Sequence, residues 1–238
     1  MKTSSLFYCH GLLLAWYAFL VYAISELTSS RGRATSVAGI VPYGGQWKFL
    51  TVLNLLFQVI FFGISLLADA FVLMKKFRIA KFIFPFRDLL FGALVFPICM
   101  FVFAMFWTLY AYDRELVYPK SIDFVIPAWM NQAMHTSILP LTLLDLLITP
   151  RRYPSKGKGL SLLTITMVAY LCWLLWIHFV TGNWVYPVFE ALSPFSKAAF
   201  FAGSGVFLLL AYNAGEFLCR MIWGDSVVVV DTYKRKSK

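Results

Sequence analysis

Residues 47–73 read WKFLTVLNLLFQVIFFGISLLADAFVL, an apolar run in which Lys48 and Asp69 are the only charges. A hydrocarbon core about 30 Å thick is crossed by roughly 20 apolar residues in helical form. The run therefore predicts a transmembrane helix. Its polar residues are ordered: Thr51, Asn54, Gln58, Ser65 and Asp69 recur at steps of three, four and seven. That spacing puts them on one helical face. Polar groups inside a membrane are costly and turn towards a bundle interior, so this helix has packed neighbours.

Working outward, similar apolar runs cover residues 6–25, 89–112, 126–148, 160–180 and 197–223. The expected fold is an all-α bundle of six transmembrane helices over residues 1–223, followed by a basic tail at 224–238. Met1-Lys2 in front of the first run and Ala23-Ile24-Ser25 behind it also fit a signal peptide. The run is long for that, and it is read as a helix. Charged residues make up 13% of the chain and apolar ones 61%, against roughly 25% charged in soluble domains.

The net charge of +10 does not indicate nucleic acid, because the basic residues flank apolar runs instead of interleaving with aromatics on a soluble face. They read as positive-inside anchors. Lys75, Lys76, Arg78, Lys81 and Arg87 follow the second run, Arg151, Arg152, Lys156 and Lys158 the fourth, and Lys234, Arg235, Lys236 and Lys238 close the tail. The loop with Asp113, Arg114, Glu115, Lys120 and Asp123 is nearly balanced, and the fifth carries only Glu190 and Lys197. Both termini are thus expected in the cytoplasm. Cys9, Cys99, Cys172 and Cys219 show no metal or disulfide spacing, and neither metal nor cofactor is expected.

The fourth run is the most polar, with Asn131, His135, Thr142 and Asp145 on one helical face. Such residues commonly join helices by hydrogen bonds, and Asp69 and Asp145 lie near span ends where water can reach them. His135 stands apart. It lies six residues past Trp129, about 9 Å into the membrane at 1.5 Å per residue. Thr51 falls in the same half of the bilayer. A threonine hydroxyl needs an adjacent base to become a nucleophile, and histidine is the usual one. The pair permits acyl transfer on a lipid-like ester. His178, nearer the boundary, reads as structural.

Several segments carry a wider resemblance: GQWKFLT at 45–51, FPFRDLLF at 84–91, YPK at 118–120, NQAMHT at 131–136, YPSK at 153–156 and TGNWVYP at 181–187. In this order and spacing the chain resembles the family of androgen-induced multipass membrane proteins. The ending Trp223-Gly224-Asp225 with its basic tail is similar to the branch linked to regulation of tissue factor pathway inhibitor. The resemblance implies a threonine hydrolase that cleaves fatty acid esters of hydroxy fatty acids, with a lipid substrate entering from the bilayer. It implies Thr51 as nucleophile and His135 as base. Asn131 and Asn54 are candidates, by position, for oxyanion or substrate positioning. The plasma membrane is the expected location, with the endoplasmic reticulum as the alternative. Gln132 stands where the family pattern has a first histidine. The Met-His-Thr histidine is kept, so activity is expected.

Overall fold

The computed structural model describes residues 2–30 and 43–224. The first loop, whose charges are Arg31 and Arg33, and, apart from Gly224, the basic tail lie outside the described residues. The helices are α1 (Thr3–Ser30), α2 (Leu50–Leu73), α3 (Phe77–Leu90), α4 (Phe96–Asp113), α5 (Ala128–His135), α6 (Ile138–Ile148), α7 (Lys156–Thr181), α8 (Val188–Ala191) and α9 (Pro194–Trp223). No strand occurs among the described residues. Five helical stretches are long and apolar enough to cross a membrane: Thr3–Leu27, Leu50–Leu73, Phe77–Leu116, Lys156–Thr181 and Pro194–Trp223. The protein is an integral membrane protein.

The fourth expected span, 126–148, is not one helix. It divides into α5, of 8 residues, and α6, of 11. Pro140 supplies the reason. It has no N–H for the carbonyl four residues back, and its ring crowds that carbonyl. The chain adapts with Ser137 N–H reaching the Gln132 carbonyl at 3.1 Å, five residues back. Pro97 acts alike: Phe96 N–H bonds the Phe91 carbonyl, and Phe91–Val95 forms a π turn that joins α3 to α4.

That junction also lengthens the third expected span, 89–112, backwards to Phe77. The basic residues of this segment led it to be read as a loop. In the structure it is an amphipathic helix, with Ala80, Phe84, Arg87 and Asp88 inward and Lys81 and Phe82 outward. The second span starts at Leu50, three residues late, because Gly45–Lys48 forms a separate 3-10 turn outside it.

The core centres on α1 against α2, where the Tyr17 and Phe62 rings stack at 5.6 Å. Phe61, Phe91 and Phe96 continue it towards α4, and Leu208 and Tyr212 of α9 close it. The start of α2, the end of α5 and the loop before α8 gather at one end of the bundle, through contacts of Thr51 with His135 and of Leu50 with Tyr186. The far end is fastened by Arg87 to the Pro150 carbonyl (2.7 Å) and by Trp223 to the Leu146 carbonyl (2.9 Å).

Candidate active site at the wall of an apolar cavity

Thr51 is the second residue of α2, and His135 is the last of α5. The break after His135 lets α5 approach the start of α2 at its own angle. The Thr51 hydroxyl lies 3.2 Å from His135 Nε2. On the other side of the ring, Nδ1 lies 2.8 Å from Asn131 Oδ1 and 3.1 Å from the Asn131 carbonyl oxygen. Both oxygens accept, so Nδ1 carries the proton. Nε2 is then the lone-pair nitrogen, and it receives the Thr51 hydroxyl hydrogen. Phe106 stacks on the imidazole at 3.6 Å between centroids, with 11° between planes. The imidazole is held on three sides.

Thr51 and His135 form part of the wall of a cavity of about 310 Å³. Its other lining includes Met105 and Phe106 of α4, Met167 and Leu171 of α7, and Gly205 of α9. Small-molecule sites commonly hold about 300–1,000 Å³ with few polar groups, so this space fits an acyl chain. Its wall extends from Thr51 at the start of α2 to Met167 of α7 and Gly205 of α9.

Tyrosines brace the start of α2, the helix that carries Thr51. Leu50 N–H donates to Tyr186 Oη at 2.9 Å, and Tyr170 Oη donates to the Lys48 carbonyl at 3.0 Å. Burial pushes the Tyr118 phenol up to about 12 and the Tyr186 phenol upward too, so both remain neutral. Burial also lowers Lys48, just before α2, to about 8.

The remaining candidates are placed as follows. Asn131 is beside His135, at the edge of the ring away from Thr51, and is not part of the cavity wall. Asn54 is fully buried one turn beyond Thr51, and it too is absent from the wall. His178 stacks on Trp184 at 4.0 Å, away from the cavity. The two polar stripes do meet, since Gln58 Nε2 donates to Thr142 Oγ1 at 3.1 Å.

Sequence reasoning missed the far end of those stripes. Asp69 and Asp145 are not at a surface open to solvent; both are 0% exposed. His10 of α1 bridges them, with Nδ1 2.6 Å from Asp69 Oδ2 and Nε2 3.0 Å from Asp145 Oδ1. Arg151 pairs with the other oxygen of Asp145, and its guanidinium lies over the Phe91 ring at 3.5 Å. Arg87 and Arg151, read as loop anchors, are buried because Asp88 and Asp145 neutralise them. The signal available was His10 itself, an ionisable residue inside an apolar run.

A family model described as FAR-17a/AIG1-like protein matches residues 5–220. The chain is 47% identical to the human androgen-dependent TFPI-regulating protein, with 94% of this chain and 95% of that one covered. It is 45% identical to the mouse protein of the same name, covering 94% and 95%. It is 39% identical to the human androgen-induced gene 1 protein, covering 82% and 85%. No solved structure matches the chain.

Proposed function

The chain belongs to the FAR-17a/AIG1-like family, and from that membership we propose that it is an intramembrane threonine hydrolase acting on fatty acid esters of hydroxy fatty acids. The observation that carries this reading is the Thr51–His135–Asn131 sequence of contacts at the wall of an apolar cavity. His135 Nε2 takes the hydroxyl proton as Thr51 Oγ1 attacks the ester carbonyl, a service worth typically ~10²–10⁴-fold. The alcohol half leaves with that proton as the hydroxy fatty acid. An acyl-threonine remains, and water releases the fatty acid.

The oxyanion is met at the start of α2. Thr51 N–H belongs to the first helical turn, whose N–H groups have no intrahelical acceptor. The positive end of the helix dipole lies at the same place. Oxyanion stabilisation of this kind is commonly the largest electrostatic contribution to acyl transfer. No metal or organic cofactor enters the scheme.

The same reading takes α5 and α6 together as a sixth, broken crossing, with both termini in the cytoplasm and the active site in the outer half of the bilayer. Substrate then enters sideways from the lipid, at the plasma membrane. Four relatives at 43–47% identity bear a name that refers to TFPI regulation. That name supports a second reading, a non-catalytic membrane regulator of tissue factor pathway inhibitor.

The test is hydrolysis of a branched fatty acid ester by membranes carrying wild type, Thr51→Ala or His135→Ala at matched levels. Turnover by wild type and its loss in both variants is the expected result. Full turnover in Thr51→Ala, or none in wild type across several chain lengths, moves the regulator reading to first place.

A further inference from the structure

Deacylation raises a question of supply. Once an acyl chain fills the cavity, water cannot reach Thr51 through that space, because the chain has displaced it. The cavity wall around Thr51 is mostly aliphatic and aromatic. The hydrolytic water needs another approach.

The interior behind Thr51 offers one. Asn54 is 0% exposed, and neither its Oδ1 nor its Nδ2 has a hydrogen-bond partner; Gln58 Oε1 and Tyr17 Oη are in the same condition. Gln58 Nε2 is satisfied by Thr142, and Thr142 passes its own hydrogen to Cys99 Sγ at 3.5 Å, so neither can serve these atoms. Further along, Asp69 Oδ1 and both Nε and Nη1 of Arg151 are buried without partners. Asn54 and Gln58 lie about one turn apart on one face of α2, and Asp69 lies on the same face about 16 Å further on. Neither Asn54 nor Gln58 belongs to the cavity wall. Buried polar groups are rarely left unsatisfied, and bound water making about three hydrogen bonds is the usual remedy in a polar interior.

We propose that bound water occupies the unsatisfied positions of this stripe and that the one at Asn54 is the water that hydrolyses acyl-Thr51. The inference rests on the hydrolase reading above. Asn54 lies three residues from Thr51 and so on the same face, about 5–6 Å between Cβ atoms, a gap one water bridges. In the step itself, the water oxygen bonds to the acyl carbon while His135 Nε2 takes one water proton. The tetrahedral centre then breaks its bond to Thr51 Oγ1, which recovers the proton from His135. The products are a fatty acid and free threonine. Asn54 and Gln58 hold the water and are positioning residues.

The experiment separates acylation from deacylation. Wild type, Asn54→Leu, Gln58→Leu and Asn54→Ser are compared in membranes at matched levels. One readout is covalent labelling of Thr51 by an alkyl fluorophosphonate, which requires attack by the hydroxyl but no water. The others are steady-state ester hydrolysis and, by mass spectrometry, the acylated Thr51 peptide. The expected result is labelling within about twofold of wild type in both leucine variants, turnover lower by at least about tenfold, and accumulated acyl-Thr51. Asn54→Ser, which keeps a hydroxyl for the water, is expected to retain turnover within about threefold. Wild-type turnover in both leucine variants overturns the proposal. So does a parallel loss of labelling and turnover, the mark of a purely structural role. Absence of both labelling and turnover in wild type overturns the hydrolase reading instead.

Discussion

Replacing Asn131 with leucine tests what orients the base. The change removes Oδ1, 2.8 Å from His135 Nδ1, and leaves the Asn131 carbonyl oxygen at 3.1 Å. One acceptor is lost and one remains, so the tautomer survives while the ring loses part of its hold. A neutral hydrogen bond contributes about 0.5–1.5 kcal/mol net, and each 1.4 kcal/mol on a barrier is about tenfold in rate. The expected fall in kcat is therefore roughly 2- to 12-fold, well short of the ~10²–10⁴-fold expected from removing the base. KM is expected to stay unchanged, because Asn131 does not touch the cavity. The assay is steady-state ester hydrolysis by membranes at matched expression, with Asn131→Leu and His135→Ala side by side. Equal loss in the two variants refutes the orienting role and places Asn131 at the reacting atoms. A kcat equal to wild type shows that the main-chain carbonyl suffices.

Two more expectations follow from the cavity and from Lys48. A Cβ added at Gly205 meets Met167 Cε at 3.4 Å, deep in the cavity. Gly205→Phe is thus expected to cut hydrolysis of long-chain esters on the order of tenfold while short-chain esters are spared, read from a chain-length series. Lys48 is held at about 8 by burial, against an ordinary 10.5. The unfolded chain binds more protons between those values, so stability rises with pH across that window. Thermal unfolding in detergent from pH 8 to 10 is expected to give a slope of Tm against pH that is more positive for wild type than for Lys48→Met.

The stripe on α2 was legible because helical spacing converts residue number into direction, and Thr51, Asn54, Gln58 and Asp69 needed no tertiary information to be aligned. Pairing Thr51 with His135 needed only a depth for each, and depth follows from the rise per residue. The break between α5 and α6 was half visible: Pro140 marks where a helix weakens, but how the chain turns there depends on what it packs against. The role of Asn131 was out of reach, since i and i+4 neighbours on a helix share a face without revealing which atoms meet. His10 was hidden by its own surroundings, a single imidazole in an apolar run whose partners lie 59 and 135 residues away. Basic character disguised α3 as loop, because charge at the end of a span also suits an amphipathic helix whose Arg87 is neutralised from within.

The His10 bridge also bears on how the chain is made. Synthesis runs from the N-terminus, so α1 and α2 enter the bilayer before α6 exists. Asp69 arrives to find His10 already there, and the first helical hairpin carries its one buried carboxylate with a partner in place. Asp145 comes later, but Arg151 follows it within six residues. Each carboxylate is therefore delivered close to a hydrogen-bonding or ion-pairing partner, and no stage of assembly has to carry an isolated carboxylate into hydrocarbon, where a charge is most expensive. The His10 to Asp145 contact then ties the early hairpin to α6.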